Sequence, residues 1–415
     1  MEGQALPVLD ETVLDPAWLP WQKEASTSSS CSQVDFISKP ITYQEFFSSY
    51  LRTNRPCLFG SHVTSHWRSR REWVSEDGKP NWDALKQLFG QLTVPVADCK
   101  KVEYQAQPKC DMTLAEFLHY WQDYCRSHHN PSKPCLYLKD WHFCRSVPDY
   151  GAYETPVYFQ SDWLNEFWDL RYQGEDDYRF VYMGPKGSWT PLHADVFHSY
   201  SWSANICGRK QWLFFPPGQE EQLRDTTGTL VYDVRSEELL NSRRYPHYRN
   251  TQPIEVIQGP GEVVFVPSGW HHQVYNMEDT ISINHNWINC CNVHMMWSFL
   301  QSELGRVQQA ISDCTDMDDW HGHCQVMLKA SSGINYQEFV DFLACISERR
   351  LHDLQVWDQE GVEEGGTRQH HHKLDLCVIS SLLSVIRQDQ EYQRLGATVQ
   401  SKLDSLKRTL EKLNP

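Results

Sequence analysis

Between about Val157 and Trp287 the chain is written in short runs of β-branched and aromatic residues, each closed by turn chemistry. YRFVYMG, KQWLFFPPG, GPGEVVFVPSGWHHQVYN and TISINHNWI follow one another with few helical patterns between them. Such runs, bounded by Gly, Pro and Asn, read as strands. Many short strands in series bury their apolar faces only in an antiparallel sandwich or barrel. Residues 219–245 interrupt the series; they are too polar for a central strand and read as an insertion.

The flanks read differently. Residues 1–34 end in the polar run STSSSCSQ and read as a poorly ordered segment. Thr42 with Glu45, and Thr113 with Glu116, form capping boxes. They open one helix through Phe46, Phe47, Tyr50 and Leu51, and another through LAEFLHYWQDYC. PCLFG, from Pro56 to Gly60, reads as a short buried strand. After about Cys290 the period becomes helical, with Asn335 and Glu338 capping FVDFLACISERRL. Residues 358–372 (DQEGVEEGGTRQHHH) read as a linker by composition. Val399, Leu403, Leu406, Leu410 and Leu413 recur at alternating spacings of four and three, over too short a stretch for a coiled coil. Packing onto the chain's own body is the first reading of that stripe, and a homodimer contact through the C-terminal helices the second. The plan is therefore an N-terminal segment (1–34), a strand-rich domain with N-terminal helices (35–290) and a C-terminal helical region (291–415).

Composition narrows the setting. No apolar run reaches the ~18 residues of a membrane span, so no membrane partner is expected. The first residues lack a basic segment followed by an apolar one, unlike a signal peptide. Fourteen Cys with no CxxC pair suit reduced thiols in an intracellular protein rather than a zinc ribbon or a redox motif. The adjacent Cys290 and Cys291 read as buried. Seventeen Trp point to an aromatic core. A net charge of −16 disfavours a nucleic-acid partner. It suits a basic protein or a cationic side chain, although solubility alone accounts for it equally.

Within the strand series, TPLHADVFHSYSW sets His193 and Asp195 two residues apart, which on an extended strand puts both on one face. Two ligands hold a divalent metal weakly. The third candidate comes well downstream, in PSGWHHQVYN. Two His and one carboxylate on one face leave the opposite positions open, the arrangement of non-haem Fe(II) oxygenases. In a chain with 19 His and 54 acidic residues an HxD triplet arises by chance, so its context carries the weight. KQWLFFP puts Lys210, Trp212 and Phe214 on one face. TISINHNW puts Thr280, Ser282, Asn284 and Asn286 on one face and Ile281 and Ile283 on the other. A polar face beside an aliphatic one fits a barrel with a working interior; the alternative is an edge strand facing solvent. Lys210 is costly to bury alone. Either it snorkels to the surface or an anion faces it, and one end of a dicarboxylate would serve. Tyr137 and Thr190 supply hydroxyl donors for that carboxylate.

These residues resemble the JmjC family of Fe(II)- and 2-oxoglutarate-dependent oxygenases, from about residue 43 to residue 287. TPLHAD is similar to the strand with a hydroxyl residue three before the first metal His. GRKQWLFFPP is similar to the strand of the 2-oxoglutarate lysine, and GEVVFVPSGWHHQV to the segment of the last ligand. CLYLKDW is similar to the tyrosine strand of the hydroxylase branch, and ISINHNW to the closing strand with its Asn. The resemblance implies a double-stranded β-helix, a jelly-roll or cupin-like barrel, making the chain α+β and mainly β. It implies Fe(II) held by His193, Asp195 and His272. His272 is preferred to His271 because the family's ligand stands five residues after the proline, here Pro267. It implies 2-oxoglutarate held by Lys210, with Tyr137 and Thr190 hydrogen-bonding its far carboxylate and Asn284 and Ser282 lining the pocket. O2 is the remaining cosubstrate. The loop VFHSYSWSAN has no certain alignment, so Ser203 and Asn205 both stand for an Asn that some relatives carry there; His198 receives no role.

The resemblance, to a small member without reader modules, implies a cytoplasmic protein hydroxylase. It would C-hydroxylate a lysine side chain of a protein substrate, the eukaryotic translation termination release factor. Histone N-methyl-lysine demethylation by the same site is one alternative. A protein-binding module that no longer turns over is another. A cupin-type metal isomerase is a third, and it leaves Lys210 unexplained. Tyr200, Trp202, Trp212, Trp270 and Trp287 either exclude water from the site or are ordinary core.

Overall fold

A computed structural model describes residues 33–171, 176–359 and 367–411. All but the last two residues of the segment read as poorly ordered lie outside them. The strands are β1 (Asp35–Ile37), β2 (Cys57–Phe59), β3 (Thr93–Asp98), β4 (Lys109–Thr113), β5 (Leu136–Trp141), β6 (Arg179–Gly184), β7 (Trp189–His193), β8 (Tyr200–Cys207), β9 (Lys210–Phe215), β10 (Ile254–Gln258), β11 (Val263–Val266), β12 (His271–Asn276) and β13 (Thr280–Trp287). They form a large sheet in the order β1-β2-β11-β8-β13-β6-β5-β3-β4 and a small one in the order β10-β9-β12-β7. From β6 to β13 the chain lays β6, β8, β11 and β13 in the large sheet and β7, β9, β10 and β12 in the small one, which is a jelly roll. The sheets face each other without closing into a barrel. The reason lies in the pairing: β2 occupies the free edge of β11 and β5 that of β6, and a paired edge has no backbone groups left to close a ring.

Leu58, Val264 and Val266 from the large sheet meet Trp212, Phe214, Ile254, Val256 and Val274 from the small one in an apolar layer between the sheets. That layer follows directly from the period-2 alternation of the strands. Tyr200, Trp202 and Trp287 join the main core, which also receives the N-terminal helices, while Trp270 joins the inter-sheet layer. All five are thus buried in apolar layers, and Trp212 also stands 5.5 Å from the His272 ring. Cys290 and Cys291 are buried. Residues 219–245 form a cap rather than a free loop: Leu223, Val231, Leu239 and Tyr245 pack on Leu192 and Phe215 at the outer face of the small sheet.

Both capping boxes are made, and each Thr also accepts from the backbone three residues on. The first opens Tyr43–Phe46, which runs on as a π-turn through Leu51. Asn335 caps Tyr336–Gln359, its Oδ1 accepting from the Glu338 amide at 3.1 Å. The Glu338 carboxylate turns away to Lys329 at 2.8 Å, so the expected box is only half formed. The expected linker is shorter at its C-terminal end than its composition suggests. Residues 360–366 lie outside the described residues, but a helix runs from Thr367 to Ile386, and His370, His371 and His372 are buried in it. The histidines read as polar punctuation because their partners are distant in sequence: His371 meets the Tyr43 hydroxyl at 3.2 Å and His372 meets Asp353 at 3.1 Å. Val399, Leu403, Leu406 and Leu410 are buried on Ala397–Glu411 against the two preceding long helices. The stripe therefore packs on the chain's own body; Leu413 lies outside the described residues. Among the described residues no helix is long and apolar enough to cross a membrane.

Candidate metal centre

His193 and His272 sit directly opposite each other in the β7–β12 ladder, their rings 4.4 Å apart. The strand expected to carry both His193 and Asp195 stops at His193. Asp195 lies just beyond it, with extended backbone (φ −63°, ψ 154°), at the head of the turn Val196–His198. One ligand atom from each of His193, Asp195 and His272 lies within 4.8 Å of the others. The reach between sheets comes from Ser201 on β8, whose hydroxyl donates to Asp195 Oδ2 at 2.6 Å. His193 Nδ1 lies 2.8 Å from the Pro191 carbonyl and His272 Nδ1 lies 3.0 Å from the Trp270 carbonyl. A carbonyl only accepts, so these bonds put the proton on Nδ1 and leave Nε2 as the basic nitrogen of each ring. That is the tautomer a metal requires. Burial and the nearby His272 push the His193 pKa down to about 4, so the ring is neutral at neutral pH. Strand alternation puts His271 on the other face of β12, with its Nδ1 4.0 Å from Glu220 in the cap. His198 packs beside Phe299 and is outside the cluster.

A bulge in β7 completes the face. His193 pairs with His272 and Thr190 with Val274, so three residues on β7 span two on β12. In a regular strand, residues three apart point to opposite faces; the extra residue returns Thr190 to the side of His193. Pro191 falls in this bulge, where a missing N–H breaks no ladder bond. Leu192 faces the cap instead.

Lys210 is buried at the start of β9. Its Nζ donates to the Ser282 hydroxyl at 2.8 Å and to the Tyr137 hydroxyl at 3.4 Å. Asn284 Nδ2 donates to the same Ser282 oxygen at 3.2 Å. Tyr137, Lys210, Ser282 and Asn284 therefore converge from three strands, and Thr190 stands on the neighbouring face of β7. Among the described residues no carboxylate pairs with Lys210. Burial, with Lys139 adding repulsion, lowers its pKa to about 7. Gly184 makes room for Tyr137: a Cβ there would come within 2.5 Å of the phenol ring.

Alternation also supplies residues that the sequence reading passed over. Lys139, two after Tyr137 on β5, is buried, and its charge depresses both Lys210 and His193. Asn276, two steps from Val274 on β12, is the cross-strand partner of Lys210 and donates to Ser188 Oγ at 2.8 Å. Tyr182 on β6 holds the Asp140 carboxylate behind them at 2.6 Å. Lys139 and Asn276 each lie an even number of residues along their strand from a position already singled out, so for them the period was the available signal; β6 offered no such reference for Tyr182. Of the two residues left open on β8, Ser203 is buried opposite Asn284. The Asn205 amide instead satisfies the Gly208 and Gly259 carbonyls, a structural task.

Fold and site together define a cupin-like jelly-roll domain with a two-histidine, one-carboxylate metal cluster and a cationic pocket beside it. The family model for the JmjC domain, described as hydroxylase, matches residues 180–287, the stretch from β6 to β13. The chain is 50% identical over 369 residues to the 2-oxoglutarate and iron-dependent oxygenase JMJD4 of Gallus gallus, covering 88% of this chain and 85% of that one. Its Mus musculus counterpart is 54% identical over 77% of this chain and 76% of its own. The arginine-specific demethylase JMJ20 of Arabidopsis thaliana is 45% identical over 79% of this chain and 73% of its own. The chain belongs to the JmjC family.

Proposed function

We propose that this chain is an Fe(II)- and 2-oxoglutarate-dependent protein hydroxylase whose iron ligands are His193, Asp195 and His272. The observation that carries this reading is Lys210, a buried cation beside such a cluster with only hydroxyl partners among the described residues. An isolated buried charge is costly unless an opposite charge meets it. A dicarboxylate bound at its near end by the metal would bring that charge. The donor set fits iron equally well, with two Nε2 atoms and one carboxylate on one side and nothing required of the other.

With the iron and O2 bound, the cosubstrate supplies the chemistry: 2-oxoglutarate is converted to succinate and CO2 while one oxygen atom enters a C–H bond. The protein's part is placement. Lys210, Tyr137 and Ser282 hold the far carboxylate, and Asn284 fixes the Ser282 hydroxyl. Thr190 is the further hydroxyl donor. Burial keeps the Tyr137 phenol protonated, hence able to donate. Trp212 and Phe214, with rings 5.5 and 5.7 Å from His272, wall the cluster from water. Ser201 holds Asp195 at the angle its ligand role requires.

The substrate we propose is a lysine side chain of a protein, hydroxylated on carbon, with the translation termination release factor as its source and the cytoplasm as its setting. A net charge of −16 is compatible with a cationic side chain as substrate. A second reading, N-demethylation, is favoured by the likeness to a relative named as an arginine-specific demethylase. It uses the same chemistry, because hydroxylating an N-methyl carbon releases formaldehyde. The test is iron-dependent succinate release against intact cytosolic proteins, with mass mapping of the products. One added oxygen with no methyl lost is the expected result. Formaldehyde from methylated lysine or arginine peptides, without that addition, moves the assignment to demethylation. No succinate in any arm leaves a binding module and ends the proposal.

A further inference from the structure

We infer that Cys125, His129 and Asp279 form a second metal site, suited to a zinc-like divalent ion in tetrahedral coordination. Cys125 sits in the last turn of the helix Leu114–Arg126, and Asp279 in the turn joining β12 to β13. Between them His128 and His129 both take left-handed backbone (φ 53° and 56°), rare for residues with a side chain. That double turn folds His129 back over Cys125, and the ring is fixed edge-on against Tyr124 at 5.4 Å.

The distances make the case. Cys125 Sγ is 3.7 Å from His129 Nε2 and 3.4 Å from Asp279 Oδ1, and Nε2 is 3.5 Å from the same oxygen. Zinc bonds of about 2.3 Å to sulfur and about 2.0–2.1 Å to nitrogen and oxygen, at the tetrahedral angle, put ligand atoms about 3.3–3.6 Å apart. Three corners of such a tetrahedron are therefore in place. Asp279 Oδ1 also accepts from the Trp121 indole N–H at 3.0 Å and the Lys186 amide at 3.1 Å, which fixes the carboxylate and leaves Oδ2, also 3.4 Å from Sγ, as the oxygen free for an ion. Thiolate and carboxylate together balance a divalent ion. All three residues are half-buried, which leaves an approach from solvent and a fourth corner for water. Absent an ion, burial and Asp279 push the Cys125 thiol up to about 12, so the group is not a ready nucleophile. The site lies at the turn between Asn276 and Ser282, and an ion there braces the two strands that bring those residues to Lys210.

Cobalt(II) reports such a site, because a thiolate ligand adds a sulfur-to-metal charge-transfer band and four-coordination gives intense visible bands. The triad contains no sulfur. Full-length protein stripped with a chelator and reloaded with cobalt should show both signals for one site per chain, and zinc should displace them. The signals should persist in Asp195→Ala and vanish in Cys125→Ser. Should Cys125→Ser fail to fold, His129→Gln asks the same question, and the visible bands should weaken. Zinc should raise the melting temperature of Asp195→Ala, but not of the double variant Asp195→Ala with Cys125→Ser. No sulfur band in native protein, or a band undiminished in both site variants, overturns the inference.

Discussion

Lys210 and Arg350 are equally hidden, at 2% and 3% exposure, yet their surroundings are opposite. Arg350, on the helix Tyr336–Gln359, forms two 2.8 Å bonds with the Glu166 carboxylate on Trp163–Arg171. A third, also 2.8 Å, runs to Asp375 on Thr367–Ile386. Burial works against its charge, but Glu166 and Asp375 hold it firmly protonated. Lys210 has hydroxyls where Arg350 has carboxylates, and its pKa falls to about 7. A buried cation whose carboxylates come from the chain's own helices is a brace, and it is finished. One met only by hydroxyls is incomplete, and a ligand completes it.

The comparison can be broken in several places. Asp195→Ala should abolish 2-oxoglutarate turnover while the far- and near-ultraviolet circular dichroism stay native; full turnover would remove the iron assignment. Arg350→Met should take the main cation from the buried Asp375 and the half-buried Glu166, leaving them only His371 and Arg349, and lower the unfolding free energy by about 3 kcal/mol in denaturant titrations. The cosubstrate requirement of the folded fraction should not change. Lys210→Met should do the reverse. It should leave the unfolding midpoint level or raise it, since no partner is stranded, and raise the 2-oxoglutarate concentration for half-maximal turnover well over tenfold. A large loss of stability in that variant would show that Lys210 is a brace after all. Ser201→Ala should weaken iron binding by about tenfold, as removal of a ligand's supporting bond commonly does; unchanged iron dependence would leave Asp195 held by other means.

The smallest effect is in pH. The Lys210 pKa near 7 lies below its ordinary value, so at pH 8 the amine is mostly neutral before the carboxylate arrives. A bound carboxylate favours the charged form, so binding takes up a proton. Affinity for 2-oxoglutarate should therefore fall as pH rises above about 7, approaching tenfold per unit until the pKa of the complex is reached. Calorimetry at pH 8 in buffers of different ionisation heat should show that uptake, and Lys210→Met should not.

How much was legible depended on range. Period-2 alternation placed Lys210, Trp212 and Phe214 together on β9 and set Ser282 beside Asn284, because strand geometry is a local property. The capping boxes at Thr42 and Thr113 were equally local and are both present. The Glu338 box failed in its second half because Lys329, from another helix, competed for the carboxylate. The linker is shorter than its composition predicts because His371 and His372 find partners at Tyr43 and Asp353 that no window of sequence contains. Asn276 and Lys139 needed only the same alternation carried one step further.

The sequence by itself determined the strand series, the residue types able to grip a metal, and the lysine whose burial called for an anion. Those follow from spacing along one chain and from the cost of hiding charge. Tertiary structure alone decided the meetings: Cys125 and His129 with Asp279, Arg350 with two distant carboxylates, Ser201 with Asp195 across the turn. It also decided the bulge at Pro191 and Leu192 that returns Thr190 to the face of His193. Such contacts depend on how loops close and sheets pack, and a pairwise distance between remote residues has no counterpart in local period.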